Sequence, residues 1–248
     1  MLSSAARRWT VALALLPLFS GCERSRGPAE PPRAVGDFGR ADEREAMVER
    51  QIAARGVDDP GVLAAMRAVP RHVFVPPDAA PFAYDDRPLP IGHGQTISQP
   101  FVVAFMTAAA ELDPSDRVLE VGTGSGYQAA VLAEIVGEVW TIEILAPLAE
   151  RAERDLRESG YDRVHVRTGD GYRGWPEEAP FDAIVVTAAP DHVPEPLLEQ
   201  LASGGRLVIP VGGASQEILR ITRTVDGFER ESLLPVRFVP MTGEAEER

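Results

Sequence analysis

The sequence predicts an α/β fold: a doubly wound, mostly parallel sheet with a C-terminal antiparallel hairpin. Three observations carry this prediction. From Arg117 onward, short apolar runs alternate with stretches of helical spacing, the order that sets parallel strands in one sheet and helices on its faces. The first run, Arg117–Val121, leads straight into a glycine-rich turn, Gly122-Thr123-Gly124-Ser125-Gly126, and then a helix. Near the end, Glu217–Thr224 and Ser232–Phe238 flank Val225-Asp226-Gly227, a turn signal between two extended runs.

Taken in order, residues 1–22 hold Arg7 and Arg8, an apolar run from Val11 to Phe19, and Ser20-Gly21-Cys22. This is the charged, apolar, small-residue order of an export signal, too short for an ordinary membrane-spanning helix. Leu18-Phe19-Ser20-Gly21-Cys22 resembles a bacterial lipoprotein processing site, with Phe19 where Leu is favoured. In that reading Cys22, the single cysteine, carries a lipid anchor and becomes the first mature residue. The other reading is an untranslated upstream extension with the start near Met47. Residues 23–40, rich in Pro, Gly and Arg, read as a flexible linker, and residues 41–248 as the folded domain.

Within that domain, Ala41–Arg55 has helical spacing, with Ala46, Met47, Ile52 and Ala53 on one face and Gly56 as its stop. Pro60–Ala68 reads as a second helix, Val69–Pro76 as a proline-bounded extended segment, and Leu89–Pro100 as an ordered loop entering a helix at Pro100–Glu111. The expected strands are Arg117–Val121, Glu138–Ile144, Arg163–Arg167, Phe181–Thr187 and Arg206–Val211. The expected helices between them are Tyr127–Ile135, Pro147–Ser159 and Pro194–Ala202.

Composition narrows the function. With 248 residues, 44% of them hydrophobic, the chain can bury one sizeable core without needing two. A formal net charge of -13 argues against nucleic acid as a partner, since affinity for phosphate backbones comes largely from Lys and Arg. His72, His93, His165 and His192 lie far apart without ligand-like spacing, so no metal site is expected.

The glycine turn is expected to present bare backbone N–H groups to a nucleotide-like ligand. The dinucleotide fingerprint G-x-G-x-x-G wants a small third residue; here that position is Tyr127, which argues against NAD. Glu120, just before the turn, would repel a pyrophosphate and suits a cationic, aminoacyl-like end. The pattern resembles the first motif of the S-adenosylmethionine-dependent methyltransferases, whose Rossmann-like fold agrees with the strand order. Expected cofactor-binding residues are Glu120, Gly122, Thr123, Gly124, Ser125 and Gly126. To these are added Glu143, an acid at a strand end suited to ribose hydroxyls, Asp170 and Gly171 toward adenine, and Thr187 at the end of a further strand.

The segment Pro90-Ile91-Gly92 with Gly94-Gln95-Thr96-Ile97-Ser98-Gln99-Pro100 closely resembles the protein-L-isoaspartate O-methyltransferase family. So do Pro70-Arg71-His72-Val73-Phe74-Val75-Pro76, Val121–Tyr127, Gly169-Asp170-Gly171, Pro180–Pro190 and Arg237-Phe238-Val239-Pro240-Met241-Thr242, over residues 45–242. The resemblance implies methyl transfer from S-adenosyl-L-methionine to the free carboxylate of L-isoaspartyl residues in damaged proteins. It implies catalytic roles for Ser98 and Thr96, substrate contacts from Gln95, Ile97 and Thr242, and a monomer. Such a carboxylate, with a pKa of roughly 3.5, is already ionised and needs no general base. Ser98 also has a second reading, as the N-cap of the helix after Pro100. His93 is left out of the site, and Val102 and Val103 are assigned to the core. Localisation stays split: the family works in the cytosol, where the cofactor is made, whereas residues 1–22 favour an exported, anchored form. Two competing functions remain, a methyltransferase of another acceptor and an exported binding protein without turnover.

Overall fold

The computed structural model describes residues 39–246. The export-like segment with Cys22 and the linker up to residue 38 lie outside the described residues, as do residues 247 and 248. Helix α1 (Ala41–Met47) continues through a π turn, Val48–Ile52, and a 3-10 turn, Ala53–Arg55, that stops at Gly56. A start at Met47 would remove α1, whose Arg44 donates to the Arg67 carbonyl at 2.8 Å. Helix α2 (Pro60–Ala68) is capped by Asp59, which accepts the Val62 N–H at 2.8 Å.

Val69–Pro76 is not extended. Arg71–Phe74 forms a 3-10 turn, with Val73 N–H on the Pro70 carbonyl at 2.9 Å. Arg71 and Phe74 are both buried, and a turn brings residues three apart to one side where extended alternation would part them. The loop before the third helix is itself a small hairpin, β1 (Leu89–Gly92) against β2 (Gln95–Ile97), turning at His93-Gly94 and leading into α3 (Pro100–Ala109).

The main elements follow as β3 (Arg117–Val121), α4 (Tyr127–Ala133), β4 (Glu138–Glu143), α5 (Ala146–Glu158), β5 (Val164–Thr168), β6 (Phe181–Val186), α6 (Glu195–Glu199), β7 (Leu201–Val211), β8 (Gln216–Thr224) and β9 (Gly227–Val236). They form one seven-stranded sheet in the order β5-β4-β3-β6-β7-β8-β9. The first five strands are parallel; β8 and β9 are antiparallel, as the C-terminal turn signal predicted. Several boundaries moved by one to three residues, and two strands, β7 and β9, start five residues early. Helix α6 is short because Leu201, expected in the helix, pairs with Phe181 and opens β7 early. Strand β9 starts at Gly227, before the polar run Glu229-Arg230-Glu231, because its backbone ladder to β8 holds without apolar alternation.

Both faces of the sheet are covered. On β6, Ala183 and Val185 pack with the N-terminal helices, α3 and α4, while Ile184 and Val186 join Leu119, Val121 and Trp140 on the other face. The chain runs outward from β3 to β5 and returns to β6 on the other side of β3. The crevice beyond the ends of β3 and β6 is thus the switch point where ligands of such sheets sit. Truncating Ile184, which is fully buried, to Ala should cost about 2–5 kcal/mol. Val225→Ala, at a residue 93% exposed, should change stability by less than about 0.5 kcal/mol. Urea unfolding followed by tryptophan fluorescence measures both.

Candidate active site

The glycine turn is less open than expected. Gly122 and Thr123 donate to the Ile142 carbonyl at 2.8 and 3.1 Å, and Gly126 donates to the Thr123 carbonyl at 2.8 Å. Gly124 N–H is taken by the Glu143 carboxylate at 2.8 Å. Of the five turn residues, only Ser125 keeps a free N–H among the described residues. The expectation of a row of bare donors is therefore corrected: the turn closes on its own strand neighbours and on an acid, which leaves little for a pyrophosphate. Gly122 is required by space. A Cβ there would stand 2.4 Å from Thr187 Oγ1, which donates to the Gly122 carbonyl at 2.6 Å.

Glu120 ends up fully buried on β3. Its Oε2 accepts the Thr141 hydroxyl at 2.5 Å, while Oε1 has no partner. Burial pushes this carboxyl up to about 8; the Thr141 hydrogen bond opposes the rise and the Glu143 charge adds to it. A buried acid with an idle oxygen beside the glycine turn fits a ligand that brings a cation. Glu143, buried at the end of β4, also accepts the Leu145 N–H at 3.0 Å. Asp170 uses Oδ1 on Tyr172 N–H and Oδ2 on Glu244 N–H, at 2.9 and 2.8 Å. It thereby pins the C-terminal turn beside Gly171, where a Cβ would stand 2.3 Å from Val121.

Three connected cavities lie along the switch point. One is bordered by Gln95, Gly122, Glu143, Gly171 and Thr242, a second by Glu120, Ser125, Ile97 and Ser98. The third, of ≈ 480 Å³, is bordered by Ser98, Gln99, Phe101, Arg55 and Arg237. Thr96 and Thr187 border all three and so stand where they meet. The alternation of β2 leaves Thr96 exposed and sends Ile97 into the core, at the inner end of the second cavity. Gln95 and Thr242 border only the first cavity, whereas Ser98 borders the second, beside the glycine turn, and the third. Helix α3 takes Gln99 as its N-cap, without a side-chain capping bond, so the Ser98 hydroxyl is not spent on capping.

Some wall residues were missed from sequence. Ile144, exposed just past Glu143, borders the first cavity, and Val102, assigned to the core, borders the largest; Val103 is buried. Arg55 stacks over Phe101 at 3.5 Å and pairs with Asp86 at 3.3 Å, a contact across 31 residues that no local pattern signals. The segment 239–241 reaches the site through Ala189 N–H on the Val239 carbonyl and Met241 N–H on the Ala189 carbonyl, at 2.8 and 2.9 Å.

Residues 42–246 match the family model for protein-L-isoaspartate (D-aspartate) O-methyltransferase. The chain is 60% identical to a protein-L-isoaspartate O-methyltransferase of Gloeobacter violaceus, over 80% of this chain and 98% of that one. It is 61% identical to one of Opitutus terrae, over 85% and 91%. Among solved structures, a protein-L-isoaspartate O-methyltransferase superposes with a TM-score of 0.75 at 32% identity, covering 82% of this chain and 67% of the other. A Plasmodium falciparum protein of the same description, in complex with S-adenosyl-L-homocysteine, gives 0.71 at 27% identity, covering 80% and 98%.

Because folding raises the Glu120 pKa from 4.5 to about 8, the folded chain holds a proton that the unfolded chain releases. The contribution of this group to stability is full below pH 4.5 and is lost as pH rises to about 8. Glu120→Gln removes that loss. Its melting temperature relative to the unmutated protein should climb across this window in pH-dependent thermal melts; a difference independent of pH would mean that Glu120 ionises normally.

Proposed function

The chain belongs to the protein-L-isoaspartate (D-aspartate) O-methyltransferase family, and from that membership and its crevice we propose that it methylates the free carboxylate of L-isoaspartyl residues in damaged proteins, initiating their repair. The observation that carries this reading is the meeting of a methyltransferase-type glycine turn and a Ser98-bearing cavity at Thr96 and Thr187. When bound, S-adenosyl-L-methionine supplies a methyl group on a sulfonium sulfur. The idle oxygen of Glu120 suits its ammonium end, Glu143 its ribose hydroxyls, and Asp170, Gly171 and Ile144 its adenine side. Gly122 to Gly126 and Thr187 leave room for it.

On the acceptor side, the nucleophile arrives ionised, so the chain has to orient it and exclude water. Such positioning can supply roughly 7–11 kcal/mol of a barrier. Ser98 orients the carboxylate and Thr96 assists where the cavities meet. Gln95, Ile97 and Thr242 shape the approach of the peptide. Methyl transfer from labelled cofactor should appear on an isoaspartyl peptide and not on its aspartyl twin. Ser98→Ala should lower kcat/KM roughly 10- to 100-fold, the loss of one hydrogen bond to a charged group, with S-adenosyl-L-homocysteine affinity kept. Transfer to both peptides, or to neither, would sink the repair assignment.

The order of Arg7, Arg8, apolar run and Cys22 supports an exported form, anchored through Cys22, with residues 23–40 as tether and 41–248 as a monomeric catalytic domain. The negative net charge supports protein over nucleic-acid partners. Among the described residues no helix is long and apolar enough to cross a membrane. Labelled fatty acid should enter the full chain and not Cys22→Ser; an unlabelled, cytosolic chain would favour the later start.

A further inference from the structure

Arg71 lies in the 3-10 turn before the β1–β2 hairpin and is fully buried, yet no carboxylate pairs with it among the described residues. An uncompensated buried guanidinium is costly, so its contacts are informative. Its Nε donates to the Ala83 carbonyl at 2.8 Å and its Nη2 to the Ser98 carbonyl at 2.7 Å; Nη1 has no partner. The guanidinium carbon sits 4.8 Å from the ring centroid of Tyr127, the first residue after the glycine turn. Desolvation lowers its pKa to about 10, which leaves it charged at neutral pH.

One side chain therefore touches both halves of the site. The Ser98–Gln99 peptide is trans, so its N–H points opposite to the carbonyl that Arg71 holds. That N–H has no acceptor among the described residues, and Ser98 and Gln99 both border the ≈ 480 Å³ cavity. Behind them, the Gln99 carbonyl accepts the N–H groups of Val102 and Val103 at 3.0 and 3.2 Å, which fixes the next peptide, Gln99–Pro100, to α3.

We propose that Arg71 is a positioning residue for the methyl acceptor: by holding and polarising the Ser98–Gln99 peptide from behind, it sets the Ser98 hydroxyl and the Gln99 N–H as paired donors toward the acceptor carboxylate. This rests on the repair-methyltransferase reading. Arg71 touches neither acceptor nor cofactor and acts through Ser98 and Gln99. Lysine can keep the charge but cannot span both carbonyls, so Arg71→Lys is the informative variant, with Arg71→Gln beside it.

The test measures, on the full chain, isoaspartyl-peptide kinetics, S-adenosyl-L-homocysteine affinity by calorimetry, and amide exchange of residues 95–99 and 122–126. Arg71→Lys should remain folded and hold S-adenosyl-L-homocysteine within about threefold of the unmutated protein. Its kcat should fall about tenfold or more with little change in peptide KM, and residues 95–99 should exchange faster while 122–126 do not. The exchange result stands even if the unmutated protein methylates no isoaspartyl peptide, the outcome that would instead defeat the repair reading. The proposal is overturned if Arg71→Lys keeps its peptide kinetics and its exchange pattern. It is equally overturned if cofactor affinity falls as far as kcat, or if neither variant folds, since Arg71 would then serve the turn or the fold as a whole.

Discussion

The Glu143 carboxylate accepts the Gly124 N–H at 2.8 Å and the Leu145 N–H at 3.0 Å, which ties the end of β4 to the turn after β3. The crevice depends on this link. It consumes a donor that a phosphate would otherwise want, and it holds a negative charge at the mouth of the turn. That charge adds to the burial keeping the neighbouring Glu120 carboxyl protonated up to about pH 8. An acid at the mouth of the turn, a second acid buried beside it and one free turn N–H among the described residues disfavour a pyrophosphate and suit a ligand with a positive end. The Thr123 and Thr141 hydroxyls, 2.6 Å apart, continue the chain of contacts from Glu120 back to the turn.

The ≈ 480 Å³ cavity is built differently. Its wall instead combines small hydroxyls, Thr96, Ser98 and Thr187, with the guanidinium groups of Arg55 and Arg237. In a chain of net charge -13 these two arginines set positive charge at the cavity wall, with Arg55 paired to Asp86 at 3.3 Å.

Much of this could be read from sequence, for physical reasons that differ by residue. Arg117–Val121 is legible to the residue because a parallel strand buried from Val118 onward ends abruptly at glycine. Gly122 and Thr187 were legible as separate strand-end features, but their mutual fit, a missing Cβ against a hydroxyl 65 residues away, was not. The closure of the turn by Glu143 was hidden because it joins two strands through a backbone N–H, and backbone donors leave no trace in residue type. Arg71 stands out in the sequence only as part of a motif: nothing local shows that an arginine between prolines is buried, and its partners, Ala83, Ser98 and Tyr127, come from three later segments.

Strand β9 is the last of the sheet, and its outer edge pairs with no strand among the described residues. An unpaired edge is a template for any other extended chain. Here it carries Glu229, Arg230 and Glu231 through its exposed first half and Pro235, which has no N–H to offer, near its end. An enzyme whose substrates are damaged proteins meets partly unfolded chains with strands of their own to pair. A charged, proline-bearing edge resists their addition to the sheet, so the enzyme can handle aggregation-prone clients through its cavity without becoming the seed on which they assemble.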